Sequence, residues 1–442
     1  MRPEESCRVI LEECRGQGAA DAVALVTEIE ESMIRFSNNQ ITVSNYLRET
    51  LASIFAMANG GKAGTTIADL SKRGMRKAAI KAVSEARGAP SSGGHRPLPR
   101  GPFEYSTDLI RQPLVDLEPD KLVGWVEGSV EAAREEGADR VAGSLIARRM
   151  RTTMKTTGDT HGTFDRSTLE LSIRAFRGTG SGHSVSVAAS EGEFDPLPAG
   201  REAGRLAKAS ERPSDGSSGR QTAVLGPMVF ADVISQVGRL ASAFYVDAGL
   251  SFLAGRLGEQ VASPMMTLVD DGTISEAYGS SPFDMEGSPT TRTPIVEEGI
   301  LKSYLHNSDT AGRMEATNTA NAGLINPRPF NLVVSPGKGD VEDLIGGVDQ
   351  GIYVTNDWYL RYQNWRTGDF SMIPRDAMFT IRNGEIDRPI KDLRISDNVL
   401  RMMQGVSSLS ERRKWIKWWE VDIPTLCPAA VVEGTNFTKS TM

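Results

Sequence analysis

The chain has 442 residues, of which 39% are hydrophobic and 24% charged, and its formal net charge is -7. This length predicts two or three domains of roughly 150 residues, and the acidic balance argues against a general nucleic-acid binder. No apolar run approaches the ~18 residues needed to span a bilayer, and the charged start of the chain does not resemble a signal peptide. Three sparse cysteines fit a reducing compartment. We therefore expect a cytoplasmic protein that has neither a nucleic acid nor a membrane as its partner.

The first half of the chain alternates between helical and strand patterns. Periodicity predicts helices at 4–15, 69–87 and 119–137, and strands at 21–31, 169–176 and 183–189. Two hairpins are expected between the first helices, with turns at Asn38-Asn39 and Asn59-Gly60-Gly61, because these residues tolerate a positive φ. The pattern predicts helices packed on one face of a sheet.

Residues 195–222 are rich in Gly, Ser, Pro and charge, which is typical of a domain boundary. We predict an α+β fold of two domains: an N-terminal α/β domain with hairpins and helices at 1–195, a linker at 196–222, and a C-terminal β-rich domain at 223–442. A short helix inside the linker is compatible with its composition.

The second half opens with an amphipathic helix at 229–244 and continues mostly as short strands. The strand patterns lie at 264–273, 293–307, 330–337, 351–357 and 377–390. Their turns are predicted at Asp271-Gly272, Glu298-Gly299 and Asn383-Gly384.

Motifs for metal, nucleotide or nucleophilic chemistry are not apparent in the sequence. The four histidines, His95, His161, His183 and His306, are each more than five residues from the next, so no HExxH or HxH pair exists. They are interpreted as solvated or packed side chains. A composite site of His306 with Cys427 is conceivable, but no spacing supports it. The sequence also lacks a Walker A loop and a G-x-S-x-G elbow.

The segment "NDWYLRYQNWRTGDFSMIPRD" at 356–376 has the most unusual composition. Aromatic residues interleaved with Arg and Asn suit a groove for an extended peptide or a partner surface. The alternative is a long edge hairpin whose aromatics fill the core. A second cluster places Trp415, Trp418 and Trp419 at helical spacing, which predicts one buried helical face.

Three ordered stretches resemble the TldD/PmbA family, in its TldE (PmbA) branch. They are "SMIRFSNNQITVSNYLRETLASIFAMANGGKAGTT" at 32–66, "SFLAGRLGEQVASPMMTLVDDGT" at 251–273, and the segment from Thr355 to Leu400 that begins "TNDWYLRYQNWRTGDF". The resemblance implies a two-domain fold that assembles as a dimer and takes part in cytosolic peptide cleavage. It further implies that a TldD subunit holds a metal through an HExxxH helix and a later Cys, whereas TldE lacks that site.

By position, the family's HExxxH helix corresponds to residues near 229–244, where no His or Glu occurs. Ser235, Gln236 and Arg239 lie there instead, beside the apolar stripe. A hydrolytic metal needs about three protein ligands and a base. The resemblance therefore implies no catalytic residue and no metal ligand in this chain, and a divalent metal in a TldD-like partner.

Three functional hypotheses follow. The first is the non-metal subunit of a TldD/TldE-type metallopeptidase complex, which helps to enclose an unfolded peptide. The second is a homodimeric peptide-binding or regulatory module without peptidase activity, and the third is a peptidase with an unrecognised metal site. The expected peptide or partner surface consists of Trp358, Tyr359, Arg361, Tyr362, Asn364 and Arg375.

Overall fold

A computed structural model describes residues 1–90 and 96–439, so the predicted position of His95 lies outside the described residues. The helices of the first half are α1 (Pro3–Gly16), α2 (Lys72–Gly88), α3 (Thr107–Ile110), α4 (Pro119–Glu135) and α5 (Leu197–Ala209). Its strands are β1 (Asp21–Ser37), β2 (Gln40–Ala58), β3 (Gly61–Ile67), β4 (Arg140–Thr156), β5 (His161–Arg177) and β6 (Gly180–Ala188). These strands form one antiparallel sheet in the order β3-β2-β1-β4-β5-β6.

The predicted turns of this sheet are confirmed. Asn38, Asn39, Asn59 and Gly60 all have positive φ, as two-residue hairpin turns require. The strand predicted at 21–31 and the first arm of the hairpin predicted at 32–46 are one continuous strand, β1.

The two faces of the N-terminal sheet have different neighbours. On β1, Ala22 and Ala24 pack with the buried faces of α1 and α2, whereas Val23 and Leu25 point the other way, toward Phe283 of the second half. Helices α4 and α5 cover the remaining part of the helical face, over β4 and β5. The period of two along the strand thus separates a helix-covered face from a face that meets the C-terminal half.

The second half is β-rich, as predicted. Its helices are α6 (Pro227–Leu240), α7 (Ala243–Asp247), α8 (Ser308–Arg313), α9 (Val341–Gly346) and α10 (Val399–Gln404). Its strands are β7 (Ser214–Asp215), β8 (Gly219–Leu225), β9 (Leu268–Asp271), β10 (Arg292–Glu297), β11 (Ile300–Leu301), β12 (Leu332–Val334), β13 (Gln350–Val354), β14 (Trp358–Asn364), β15 (Asp369–Ile373), β16 (Met378–Arg382), β17 (Glu385–Lys391), β18 (Leu393–Asn398), β19 (Val406–Ile416) and β20 (Thr425–Lys439).

These strands form a branched sheet with the main order β11-β10-β9-β12-β20-β8-β13-β16-β17-β7. Strands β18 and β19 also pair with β20, and the hairpin β14-β15 joins through β18. Helix α6 packs against this sheet in the largest apolar core. No helix in the described ranges has both the length and the apolar character to cross a membrane.

Within the segment predicted as a linker, helix α5 packs on β6. A Cβ at Gly182 would lie 2.2 Å from the backbone oxygen of Ala203 in α5, so a side chain there would force the helix and strand apart. The division at 1–195, 196–222 and 223–442 stays a prediction.

Two local predictions of the second half are wrong. Trp415 lies on strand β19, and Trp418 and Trp419 follow in an irregular segment, so the three do not share a helical face. Trp418 is buried, whereas Trp419 is 66% exposed. The helix predicted at 229–244 is also interrupted after Leu240, and Ala243 begins the short helix α7.

Candidate functional site

Helix α6 is the central element of the candidate site. Pro227 lies in its first turn, where the missing N–H costs nothing, and nearly every later residue is buried, including Asp232 and Gln236. Gln236 Nε2 donates to Asp232 Oδ1 at 3.2 Å, and Arg239 pairs with Asp422 at 2.7 Å. Ser235 Oγ lies 3.5 Å from the same Asp422 carboxylate. The polar residues of α6 are therefore engaged by other groups of this chain.

The second carboxylate at α6 is Asp357, immediately before β14. Asp232 and Asp357 are both fully buried, and no donor in the described part of the chain reaches Asp232 Oδ2 or either oxygen of Asp357. Burial raises the pKa of Asp232 to about 7. Burial, and then the charge of Asp232, raise the pKa of Asp357 well above its ordinary value. Two facing carboxylates in this position share a proton, with Asp357 as the donor.

Glu420 completes the carboxylate cluster, which we define as Asp232, Asp357 and Glu420. Its charge contributes to the raised pKa of both aspartates. Arg361 forms an ion pair with Glu420 at 3.2 Å, but the arginine side chain is 63% exposed and the glutamate 4%. The cluster is thus compensated by Arg361 at the surface, by the charge of Arg239 and by protonation.

Aromatic residues adjoin the cluster in the chain, since Trp358 and Tyr359 follow Asp357 and Trp419 precedes Glu420. The ring centroids of Trp358 and Tyr359 are each less than 6 Å from that of the exposed Trp419, at 5.7 and 5.9 Å. Arg375 lies over Trp358 at 5.8 Å, and Arg361 lies over Tyr359 at 5.5 Å, in cation–π geometry. Four of the six residues predicted for a peptide or partner surface therefore meet at one place.

The other two predicted residues point elsewhere. Tyr362 turns inward against Phe252, and burial raises the pKa of its phenol. Asn364 lies at the end of β14, where its side-chain oxygen accepts the backbone N–H of Arg366. The segment thus has both characters considered from its sequence: a hairpin with some rings in the core, and an outer surface with Arg and Trp.

Strand β14 is an edge strand. It pairs with β15, and within the described ranges no strand lies along its other side. Tyr359 has a φ of 59°, and the register shifts between Trp358 and Arg361. A positive φ at a bulky residue costs on the order of 1 kcal/mol, and such strain is concentrated at functional positions. We call β14 together with the rings of Trp358, Tyr359 and Trp419 the aromatic edge.

A polar network connects the aromatic edge to the N-terminal sheet. Arg174 of β5 pairs with the buried Asp376 at 2.6 Å, and Asn356 Nδ2 donates to Asp376 Oδ2 at 2.6 Å. The same amide lies 3.1 Å from Nδ1 of His183, whose Nε2 is 2.9 Å from the hydroxyl of Ser172. Burial lowers the pKa of His183 to about 4, so the ring is neutral at pH 7. Because Nδ1 accepts a hydrogen bond from the Asn356 amide, the single ring proton is assigned to Nε2.

A cleft of about 580 Å³ lies between the free face of the N-terminal sheet and the C-terminal half. Apolar side chains and cations both line it: Leu25, Met150, Phe164, Phe283, Phe330, Arg166, Arg239, Arg328 and Lys417. Lys417 lies 3.6 Å from Glu170, and Arg239 is held by Asp422 as described above. Within the described residues, neither Arg166 nor Arg328 forms a salt bridge, and Arg166 Nε has no hydrogen-bond acceptor.

His306 and Cys427 do not lie together as a metal site. His306 is buried beside Thr310, burial lowers its pKa to about 4, and Cys427 is enclosed in β20 with its thiol pKa raised by burial. In the residues that the structure covers, no three His, Cys, Asp or Glu side chains converge as a metal site.

The residues that define the site's charge are not evident from the sequence pattern. Asp232 lies within a mostly apolar helical pattern, and nothing in the local sequence distinguishes Arg166 or Arg328. A charged residue on the buried stripe of an amphipathic helix is a usable signal, and Asp232 is one turn from Gln236. The pairing of Arg166 with Arg328 has no signal in the sequence, because they come from different halves of the chain.

Comparison with known proteins places this fold in a metallopeptidase class. The family profile described as "PmbA/TldA metallopeptidase C-terminal domain" matches residues 218–439, half of the chain. The chain belongs to the PmbA/TldD family.

Relatives agree with this assignment. The chain is 34% identical over 213 residues to a metalloprotease of Methanocaldococcus jannaschii, covering 47% of this chain and 46% of that protein. It is 33% identical over 172 residues to a metalloprotease TldD homolog of Buchnera aphidicola, covering 38% of this chain and 35% of that one. The matches thus span about half, or less, of these relatives' length. The solved structure of TldE from Thermococcus kodakarensis shares the fold, with a TM-score of 0.82, 18% identity, and coverage of 98% of this chain and 100% of that one.

Proposed function

We propose that this chain is the TldE-like, non-metal subunit of a TldD/TldE-type metallopeptidase complex that degrades or processes unfolded peptides. A TldD-like chain would supply the divalent metal and the base. The aromatic edge would hold an extended peptide or the partner. The observation that carries this proposal is the open side of β14, flanked by the exposed ring of Trp419, by two half-buried rings, and by Arg361 and Arg375.

An open strand edge binds extended chains through the backbone, since its N–H and C=O groups are free to pair with an added strand. Aromatic rings and arginines beside it are the residue types enriched at interface hot spots. Helix α6 supports the non-metal role, because its buried Asp232 is paired with Asp357 and its Arg239 with Asp422.

The test is co-expression with the TldD-like protein of the same organism, followed by digestion of an unfolded peptide, with each chain alone as the control. We expect cleavage only with both chains, and loss of cleavage when the partner's HExxxH is mutated. Cleavage by this chain alone, stopped by a chelator, would favour the hidden metal site. A stable homodimer that binds peptide and ignores the partner would favour the regulatory module.

Backbone pairing has its own test. A peptide N-methylated at alternate residues keeps its side chains but loses its strand-forming donors. We expect it to inhibit the complex at least tenfold less well than the unmethylated peptide. Trp419→Ala should weaken inhibition, whereas Tyr46→Ala, which removes a 59%-exposed ring on β2, serves as the matched control.

A further inference from the structure

The cleft contains two guanidinium groups that the protein itself does not neutralise. Arg166 Nε is sealed from solvent without a hydrogen-bond acceptor, and its Nη2 has only the sulfur of Met150, at 4.0 Å. Arg328, an exposed residue of the segment before β12, lines the same cleft, and its charge lowers the pKa of Arg166. A partly buried arginine and an exposed arginine thus line the same concave site.

The carboxylates that line the cleft do not compensate them. Asp422 is committed to Arg239. Asp284 accepts the backbone N–H groups of Glu286, Ser288 and Ala322, and burial raises its pKa to about 8, so it is mostly neutral at pH 7.

Loss of a proton does not remove the charge either. Burial lowers the pKa of Arg166 to about 10, which still leaves the group protonated at pH 7. An uncompensated buried cation is unfavourable, and an anion from outside the chain would offset it. The fork of a guanidinium fits the two oxygens of a carboxylate.

The apolar lining of the rest of the cleft indicates that the remainder of the ligand is apolar. Phe164, Phe283 and Phe330 contribute rings to the wall, and Leu25 and Met150 add aliphatic surface. The volume of about 580 Å³ lies within the usual ~300–1,000 Å³ of small-ligand sites. We propose that Arg166 and Arg328 bind the carboxylate of a ligand with an apolar body, of the size of a short peptide. This site is independent of the proposed partnership, because this chain supplies all of its cations.

The test is isothermal titration calorimetry of the full chain, without any partner. The probes are N-acetyl-Ala-Phe-Leu with a free C-terminal carboxylate, the same peptide as its amide, N-acetyl-Ala-Phe-Glu amide, and inorganic phosphate. We expect the first peptide to bind at least tenfold more tightly than its amide. Binding of the glutamate peptide would identify a side-chain carboxylate as an accepted source, and its failure would restrict the site to chain ends.

Variants locate the site. Arg166→Gln and Arg328→Gln should each weaken binding of the carboxylate peptide about tenfold, and Arg166→Lys should weaken it less because it keeps the charge. Arg388→Gln, at an exposed position of β17, is the matched control and should change nothing. Equal binding of peptide and amide, unchanged affinity in both glutamine variants, or phosphate binding as tightly as the peptide would overturn the proposal. Arg166→Lys keeps the test decisive if a glutamine variant does not fold.

Discussion

The carboxylate cluster around Asp232 and the cationic cleft around Arg166 differ in how each can lose its charge. In the cluster, Gln236 donates to one oxygen of Asp232, but no donor in the described residues reaches its other oxygen or Asp357, and burial raises the pKa of both carboxyl groups. In the cleft, Arg166 Nε is buried without an acceptor, and the charge of the more exposed Arg328 lowers its pKa further. Helix α6 is part of both regions, since Asp232 belongs to the first and Arg239 lines the second.

Carboxylates can be neutralised by a proton within the range of ordinary pH, but guanidinium groups cannot. A proton shared within the cluster can therefore offset its negative charge without a ligand. The cleft retains its charge until an anion arrives. Unpaired buried acids are therefore weak evidence for a binding site, whereas an unpaired arginine in a cavity is stronger evidence.

The largest expected effect concerns a buried carboxylate that does have its cation. Asp376→Ala removes the partner of Arg174 and the acceptor of Asn356. We expect a loss of about 3 kcal/mol in the free energy of unfolding, because a charge and an amide are left unpaired inside the protein. Urea unfolding at pH 7 measures it. A loss below about 1 kcal/mol would mean that the ion pair and hydrogen bond of Asp376 contribute little to stability.

Asp357→Asn tests the shared proton. The amide can donate to Asp232 at any pH, so the variant should exceed the parent protein in unfolding free energy by about 1–3 kcal/mol at pH 8. The folded-state pKa of Asp232 lies above its unfolded value, so the parent's contribution from this pair is present at low pH and is lost as pH rises from about 4 to 7.

The difference between variant and parent should therefore grow across that window. Other buried groups, including His183, titrate alike in both proteins and cancel. Unfolding curves at pH 5 and pH 8 provide the comparison, and a difference that is constant with pH would contradict a shared proton.

Arg166→Met tests the opposite region. Removing an unpaired guanidinium while keeping its apolar stem should raise the unfolding free energy by about 1 kcal/mol when no ligand is present. Arg388→Met is the surface control and should change it by less than about 0.5 kcal/mol. Thermal unfolding with and without the carboxylate peptide checks this result. Destabilisation by Arg166→Met would show that the arginine is structural.

The smallest effect on stability is expected at the aromatic edge. Trp419 is 66% exposed, so Trp419→Ala should change the unfolding free energy by less than about 0.5 kcal/mol. Peptide digestion by the complex should nevertheless fall. Parallel measurement of unfolding and of digestion separates the two effects, and unchanged digestion would remove Trp419 from the proposed surface.

Local chemistry predicted much of the fold. Asn38-Asn39, Glu298-Gly299 and Asn383-Gly384 form hairpin turns, because turn formation depends on a few adjacent residues. The helices at α1, α2 and α4 followed from apolar periodicity. The prediction for Trp415, Trp418 and Trp419 was wrong, since short spacings of apolar residues do not distinguish a strand end from a helix.

By itself, the sequence determined the α+β class, the β-rich second half, the family and the segment that contains the aromatic edge. Only the tertiary structure decided which charges meet. Asp232 interacts with Asp357, and Arg166 with Arg328, although the members of each pair are far apart in the sequence. The physical reason is that a pKa or an unpaired charge depends on distance and burial in three dimensions, and neither quantity is contained in the local pattern of residues.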